Sequence, residues 1–212
     1  MRVKRIVSIN RNIESKCFDP FFYPRLFVKS WLLLPLALVS GLACAQNPGD
    51  VFVGVTYAQS NIKFKSQPSF GTFHPATVSV GVGMIVIPNL AIEGYVFDGL
   101  DDATHTIATS TTGTIQIQNG YGFNLRPYMK LGNGWGAYAK LGRQYGAQDF
   151  VVNRPLTSTT THTTYAHTTY GLGLTYNFNR QWSVAVERMT SKSISTESTN
   201  ASTTGVGLRY MF

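Results

Sequence analysis

The sequence predicts an all-β chain, eight antiparallel strands closed into an up-and-down transmembrane β-barrel. Three observations predict it. After Asp50, apolar and small polar residues alternate with period two in about eight stretches, and short turns and long polar loops connect them in strict alternation. The non-apolar face carries Gly, Ser, Thr, Asn and Gln with a few isolated charges, and charged residues make up only 13% of the chain, against roughly 25% in soluble domains. Aromatic residues gather at the strand ends, as at the two interfaces of a membrane. A secreted soluble barrel or sandwich also alternates, but its outer face would be rich in Lys, Glu and Asp.

The elements follow in order. The first strand, about Val51–Gln59, sets Val51, Val53, Val55 and Tyr57 against Phe52, Gly54, Thr56 and Ala58. A loop over Ser60–Pro75 leads to a second strand, about Ala76–Val86, in which Val78, Val80, Val82 and Met84 oppose Ser79, Gly81 and Gly83. Pro88-Asn89 signals a tight turn. The third strand, about Leu90–Phe97, has Ala91, Glu93, Tyr95 and Phe97 on the face away from Ile92 and Val96. A polar loop over Asp98–Gly113 precedes the fourth, about Thr114–Arg126. There Ile115, Ile117, Tyr121, Phe123 and Leu125 share one face, and Pro127–Gly134 makes the return.

The fifth strand, about Trp135–Tyr145, places Ala137, Ala139 and Leu141 opposite Tyr138 and Lys140. A long loop covers Gly146–His162. The sixth, about Thr164–Phe178, carries Tyr170, Leu172, Leu174 and Tyr176 on one face, and Asn179–Gln181 turns the chain. The seventh, about Trp182–Met189, ends at a serine- and threonine-rich loop over Thr190–Thr203. In the last strand Val206, Leu208, Tyr210 and Phe212 oppose Gly205, Gly207, Arg209 and Met211. Each strand is near the roughly 9–11 residues that cross a bilayer at a tilt. Pairing the first strand with the last would leave no backbone edge in lipid.

Residues 1–45 read as an N-terminal extension and cleavable signal peptide, and residues 46–212 as the barrel domain. Arg25 and Lys29 precede the apolar run Trp31–Val39, and Ala43-Cys44-Ala45 gives a small-residue cleavage site near Ala45. Gly41 three before Cys44 argues against a lipoprotein, and a translation start near Val28 would leave a conventional Sec-type leader. Both cysteines, Cys17 and Cys44, precede the cut, so no disulfide is expected in the mature chain. The net charge of +8 is concentrated in residues 1–45, which carry +5. The remainder shows no basic patch with interleaved aromatics, which argues against nucleic acid as a partner.

Asn89–Tyr95, Tyr121–Pro127, Tyr138–Gly142, Tyr170–Tyr176 and Gly205–Phe212 together resemble the small outer-membrane β-barrel proteins of the OmpA transmembrane domain, OmpX and opacity-protein type. The resemblance covers essentially the whole mature chain. It implies residence in the outer membrane of a Gram-negative bacterium, contact with outer-membrane lipid and lipopolysaccharide, and insertion by the barrel-assembly machinery. Gly207, Tyr210 and Phe212 fit the terminal signal which that machinery reads, with Gly205 standing where a large polar residue is usual. No peptidoglycan-binding domain is expected after Phe212.

Candidate functional residues are few. The inward register collects Glu93, Arg126, Lys140, Glu187 and Arg209, where buried charges need partners. A plug of ion pairs and a gated pore are the two readings of that cluster. Arg143 and Arg188 fall on the lipid-facing register near the long loops, placed for lipopolysaccharide phosphates unless both strands have already left the bilayer. His74, His105, His162 and His167 are scattered, without metal-ligand spacing, so neither metal nor cofactor is expected. Lipid A deacylases on such barrels use a His-x-Ser pair. His162 and His167 are followed by Thr-Thr, so that pair is absent. The expected role is structural or surface-interactive, adhesin-like, with an extracellular ligand reached through the long loops and no catalysis. A small passive channel or a lipid A-modifying enzyme are the alternatives.

Overall fold

The structure, a computed structural model, describes residues 48–64, 71–193 and 199–212. The leader and the cleavage site near Ala45 lie outside the described residues, as does part of the loop between Ser60 and Pro75. Among the described residues ten strands are formed: β1 (Val51–Phe64), β2 (Thr72–Phe73), β3 (Ala76–Ile87), β4 (Leu90–Asp101), β5 (Ala103–Ala108), β6 (Thr111–Gly132), β7 (Trp135–Arg154), β8 (Thr157–Asn177), β9 (Trp182–Ser193) and β10 (Thr199–Met211).

Eight of them form the wall in the order β1, β3, β4, β6, β7, β8, β9, β10, every neighbour antiparallel. The ring closes where β10 pairs with β1, from Phe52↔Met211 to Phe64↔Thr199. Closure satisfies the N–H and C=O groups that an open sheet would leave facing hydrocarbon. The two short strands extend the wall beyond one rim: β2 pairs with β1, and β5 takes over from β4 beside the outer part of β6.

The period-two pattern turns the apolar face outward. Val55, Val82, Val96, Phe123, Leu125, Leu141, Leu172, Leu174, Val186, Val206 and Leu208 are all exposed. A continuous apolar band of this extent would aggregate in water and is the normal outer surface of a membrane barrel. Aromatic rings border it. Trp135–Tyr176–Phe178 and Trp182–Tyr210–Phe212 form two clusters at the short-turn end, and Tyr121 stacks on Tyr145 near the long-loop end. Short turns use residues that tolerate left-handed backbone, Asn89 at φ 68° and Asn133 at φ 50° between Gly132 and Gly134.

The structure departs from the sequence expectation in two ways. First, the strands on the long-loop side run much further. β7 and β8 stay paired out to Arg154↔Thr157, so the expected loop Gly146–His162 is a β-hairpin turning at Pro155-Leu156. β-branched residues and cross-strand polar pairs favour this extension. Examples are the Ser158 hydroxyl donating to Asn153 (2.7 Å) and Thr104 with Thr114 (2.9 Å). At the short-turn end, β6 continues through Pro127 to Gly132, leaving only Asn133-Gly134 as the turn.

Second, Ile115 and Ile117 do not share the face of Tyr121 and Phe123. The β6–β7 register shifts between Ile117 and Gly120, so that Gln118 and Asn119 both oppose Ala147. Such a bulge reverses the facing of everything beyond it. Ile115 is 1% exposed inside, whereas Tyr121 and Phe123 are 59% and 52% exposed outside.

The interior is filled in layers. At the short-turn end Phe52, Ile85 and Ala91 pack with Tyr128 and Met211. At the long-loop end Ile62, Phe73, Ala103 and Ile115 pack with Phe64, Ile107, Ile117, Phe150 and Ala201. Between them lies a polar middle. Lumenal aromatics sit on glycines of the neighbouring strand, in direct cross-strand pairs: Phe52 on Gly83, Tyr95 on Gly122, Phe97 on Gly120 and Tyr138 on Gly173. A Cβ on Gly173 would overlap the Tyr138 ring. The inward glycines of the sequence are thus seats for rings in a narrow barrel.

Candidate functional site

Two places on the barrel carry the polar chemistry: the charge layer in its lumen and the sheet that protrudes beyond its rim. The charge layer is built from strands on opposite sides of the ring. Glu93 comes from β4, Arg126 from β6, Lys140 from β7, Glu187 from β9 and Arg209 from β10, each an inward position of an alternating strand. The narrow lumen makes these five side chains, distant in sequence, neighbours.

Lys140 Nζ lies 3.0 Å from Glu93 Oε2 and 2.9 Å from Glu187 Oε2, bridging the two carboxylates. Arg209 faces the same pair at 3.7 and 3.8 Å. Arg209 thus approaches both carboxylates of the layer. Tyr138 ties the layer together, its hydroxyl donating to Glu187 Oε2 at 2.8 Å and accepting from Arg209 at 3.4 Å.

Arg126 is different. It makes no ion pair among those found in the described residues, and its guanidinium lies over the Tyr138 ring at 4.1 Å, with Phe52 at 5.5 Å. Cation–π contact compensates a buried guanidinium only in part. The five charges sum to three cations against two anions, so one positive charge is left over, and it falls on the Arg126 side of the layer.

Above the charge layer, a polar chamber is lined by Thr56, Ser79, Tyr95, Asn124, Gln144 and Ser191 among others. Asn124 accepts from Thr169 (3.3 Å), and Gln144 donates to the Tyr165 hydroxyl (3.4 Å). Phe73, Ile115 and Phe150 cap this chamber at the long-loop end, where Phe73 and Phe150 meet edge to face at 6.0 Å. Among the described residues the lumen is therefore filled at two levels, by ion pairs below and by apolar side chains above.

Sequence reasoning missed the upper closure. Phe73 lies in what reads as a loop, and Ile115 was placed on the outer face because a bulge leaves no clear mark on apolar periodicity. Tyr138 and Phe52 were on the inward register, but their aromatic character alone did not mark them as partners for arginine.

Arg143 and Arg188 are exposed on the outer wall. Arg143 pairs across to Phe123 and Thr168, one step inside the Tyr121–Tyr145 stack, and Arg188 pairs with Leu172 and Thr204. Both strands thus continue in register past them. Gly207, Tyr210 and Phe212 lie in or just after β10 at the seam, where Tyr210 pairs with Val53 and accepts a hydrogen bond from Gln181 (2.9 Å). His162 meets Asp149 at 2.5 Å across the β7–β8 hairpin, and His167 stacks on Tyr165. Among the described residues no three metal-ligating side chains converge.

The protruding sheet consists of β5 and the outer parts of β6, β7 and β8. Its last strand is unusual. From Thr157 to Ala166, β8 pairs with β7 on one side, and its pairing with β9 begins only at His167↔Ser193. Among the described residues, the other edge of that ten-residue run has no partner. Thr157–Thr164 is exposed throughout, and Leu156 at the hairpin tip is 95% exposed.

A closed eight-stranded ring with an apolar outer band and a filled interior defines a small outer-membrane barrel. The chain matches the outer membrane protein beta-barrel domain family over residues 31–212, and it belongs to that family. Among solved structures it is similar to Ail, the attachment invasion locus protein of Yersinia pestis, at 17% identity and a TM-score of 0.52, covering 78% of this chain and 99% of that one. A second Ail structure, in complex with the heparin analogue sucrose octasulfate, aligns at a TM-score of 0.53 and 16% identity over 78% and 99% of the two chains. Neisserial surface protein A aligns at 12% identity and a TM-score of 0.53, over 76% of this chain and 97% of that one. No curated protein matches the sequence.

Proposed function

We propose that this outer-membrane barrel is a non-conducting, non-catalytic protein with an adhesin-like task on the cell surface, performed by adding an extended strand of a partner to the open edge of β8. The observation that carries this reading is the edge of β8 from Thr157 to Ala166, which has no partner among the described residues. Exposed edges are usually blunted with lysine, proline or a bulge, because unpaired N–H and C=O groups template further pairing. This run contains six threonines and a serine, with no charged residue and no proline. Threonine favours the strand, and the absence of charge leaves nothing to repel an incoming backbone.

The two filled levels of the lumen support a surface role over transport. The similarity to Ail, named for attachment, is in keeping with this. Arg143 and Arg188, exposed beside the girdle, are proposed to hold lipopolysaccharide phosphates and so fix the height of the sheet above the membrane. Gly207, Tyr210 and Phe212 are proposed as the assembly signal, and residues 1–45 as the cleaved Sec-type leader.

The test is a strand-blocking substitution. Thr160→Pro, whose N–H faces the open edge, and Thr163→Lys should abolish binding of cells expressing the protein to immobilised extracellular matrix proteins, while boiled and unboiled gels show the barrel still folded. Retained binding in both variants would refute the edge as the site.

A further inference from the structure

The leftover positive charge of the lumen points to a ligand. Below the charge layer, a cavity of about 60 Å³ opens toward the short-turn, periplasmic end. By this measure one water needs roughly 10–15 Å³, so the space suits a group of four or five heavy atoms, not a sugar phosphate. Its lining includes Arg126, Arg209, Lys130 and Arg180, together with Gln181 and Ser183, and no carboxylate side chain.

Two of these cations are incompletely satisfied. Arg126 Nε and Arg209 Nη1 are buried without a hydrogen-bond partner among the described residues, and the two residues are each only 8% exposed. The carboxylates of the layer are held on its other side, where Lys140 bridges Glu93 and Glu187. A buried guanidinium with open donors is costly unless an anion meets it, and the planar fork suits an oxyanion.

We propose that the periplasmic vestibule is a binding site for a small phosphate-type oxyanion, held by Arg126 and Arg209 at its floor and by Lys130 and Arg180 at its mouth. The anion neutralises the barrel interior and completes the inner closure. Two sources share this chemistry, inorganic phosphate and the headgroup phosphate of an inner-leaflet phospholipid.

The purified full barrel is tested in a non-ionic detergent by thermal unfolding, with sodium phosphate titrated against sodium chloride at matched ionic strength. A saturable rise of the transition temperature with phosphate only is expected. Arg126→Met should remove the phosphate dependence and, in phosphate-free buffer, unfold no earlier than the unsubstituted protein. Should that variant fail to fold, Lys130→Gln with Arg180→Gln, both at exposed positions, serves instead and should weaken the apparent phosphate affinity about tenfold. In phosphatidylglycerol vesicles without inorganic phosphate, compared with the phosphate-free non-ionic detergent, stabilisation that added phosphate no longer increases would identify the headgroup as the source. A phosphate response found unchanged in vesicles would identify the free ion. No shift beyond that of chloride and none from phosphatidylglycerol, or an undiminished shift in the variants, would overturn the proposal.

Discussion

Replacing Glu93 with glutamine is the sharpest perturbation of the charge layer, because it leaves the side chain's shape in place and removes one of only two anions. Glu93 faces Lys140 at 3.0 Å and Arg209 at 3.7 Å. At an effective dielectric of about 20, these contacts are worth roughly 5.5 and 4.5 kcal/mol before solvation is counted. Neutralising the carboxylate also recovers its own burial cost of several kcal/mol, so a net destabilisation of about 3–5 kcal/mol is expected. Three cations would then share Glu187 alone. Lys140→Gln removes two short ion pairs but leaves two cations with two anions, and should cost less. The assay is reversible urea unfolding in lipid vesicles, followed by the fluorescence of Trp135 and Trp182 at the girdle. If Glu93→Gln costs under about 1 kcal/mol, or less than Lys140→Gln, the charge counting is wrong.

Gly173→Val should destabilise the barrel by about 1–3 kcal/mol, since the new side chain would occupy the seat of the Tyr138 ring; unfolding midpoints would show it. With Cys at position 115, 121 or 123, a quencher dissolved in the bilayer should reach labels at 121 and 123 and spare 115; equal quenching at all three would remove the bulge. Phe212→Ala should lower the heat-modifiable folded fraction in outer membranes without changing synthesis of the chain, measured by comparing unboiled and boiled gels.

The ring of strands was legible in the sequence because a barrel's two faces meet opposite solvents. Val55 and Tyr57 face lipid, Gly54 and Thr56 face a crowded lumen, and that contrast survives as alternation. The five charged residues of the lumen were legible for the same reason, since each stood alone on a face of small residues. Their partners were not, because pairing depends on which strands close the ring and on reach across it. The sequence also hid the strand extensions. Threonine-rich segments such as Thr157–Thr164 read equally as polar loop or as strand, and only pairing with Ala147–Arg154 decides between them. The bulge at Gln118-Asn119 was invisible for a simpler reason: apolar residues lie on both sides of it, outward at Tyr121 and inward at Ile115.

The proposed surface role rests on a lumen filled by Lys140, Glu93, Glu187 and Arg209 below and by Phe73, Ile115 and Phe150 above. Single-channel recording of the refolded barrel in a planar bilayer tests this most directly. A current indistinguishable from that of the bare membrane is expected at all moderate voltages. Reproducible unitary steps from the unsubstituted protein would contradict it.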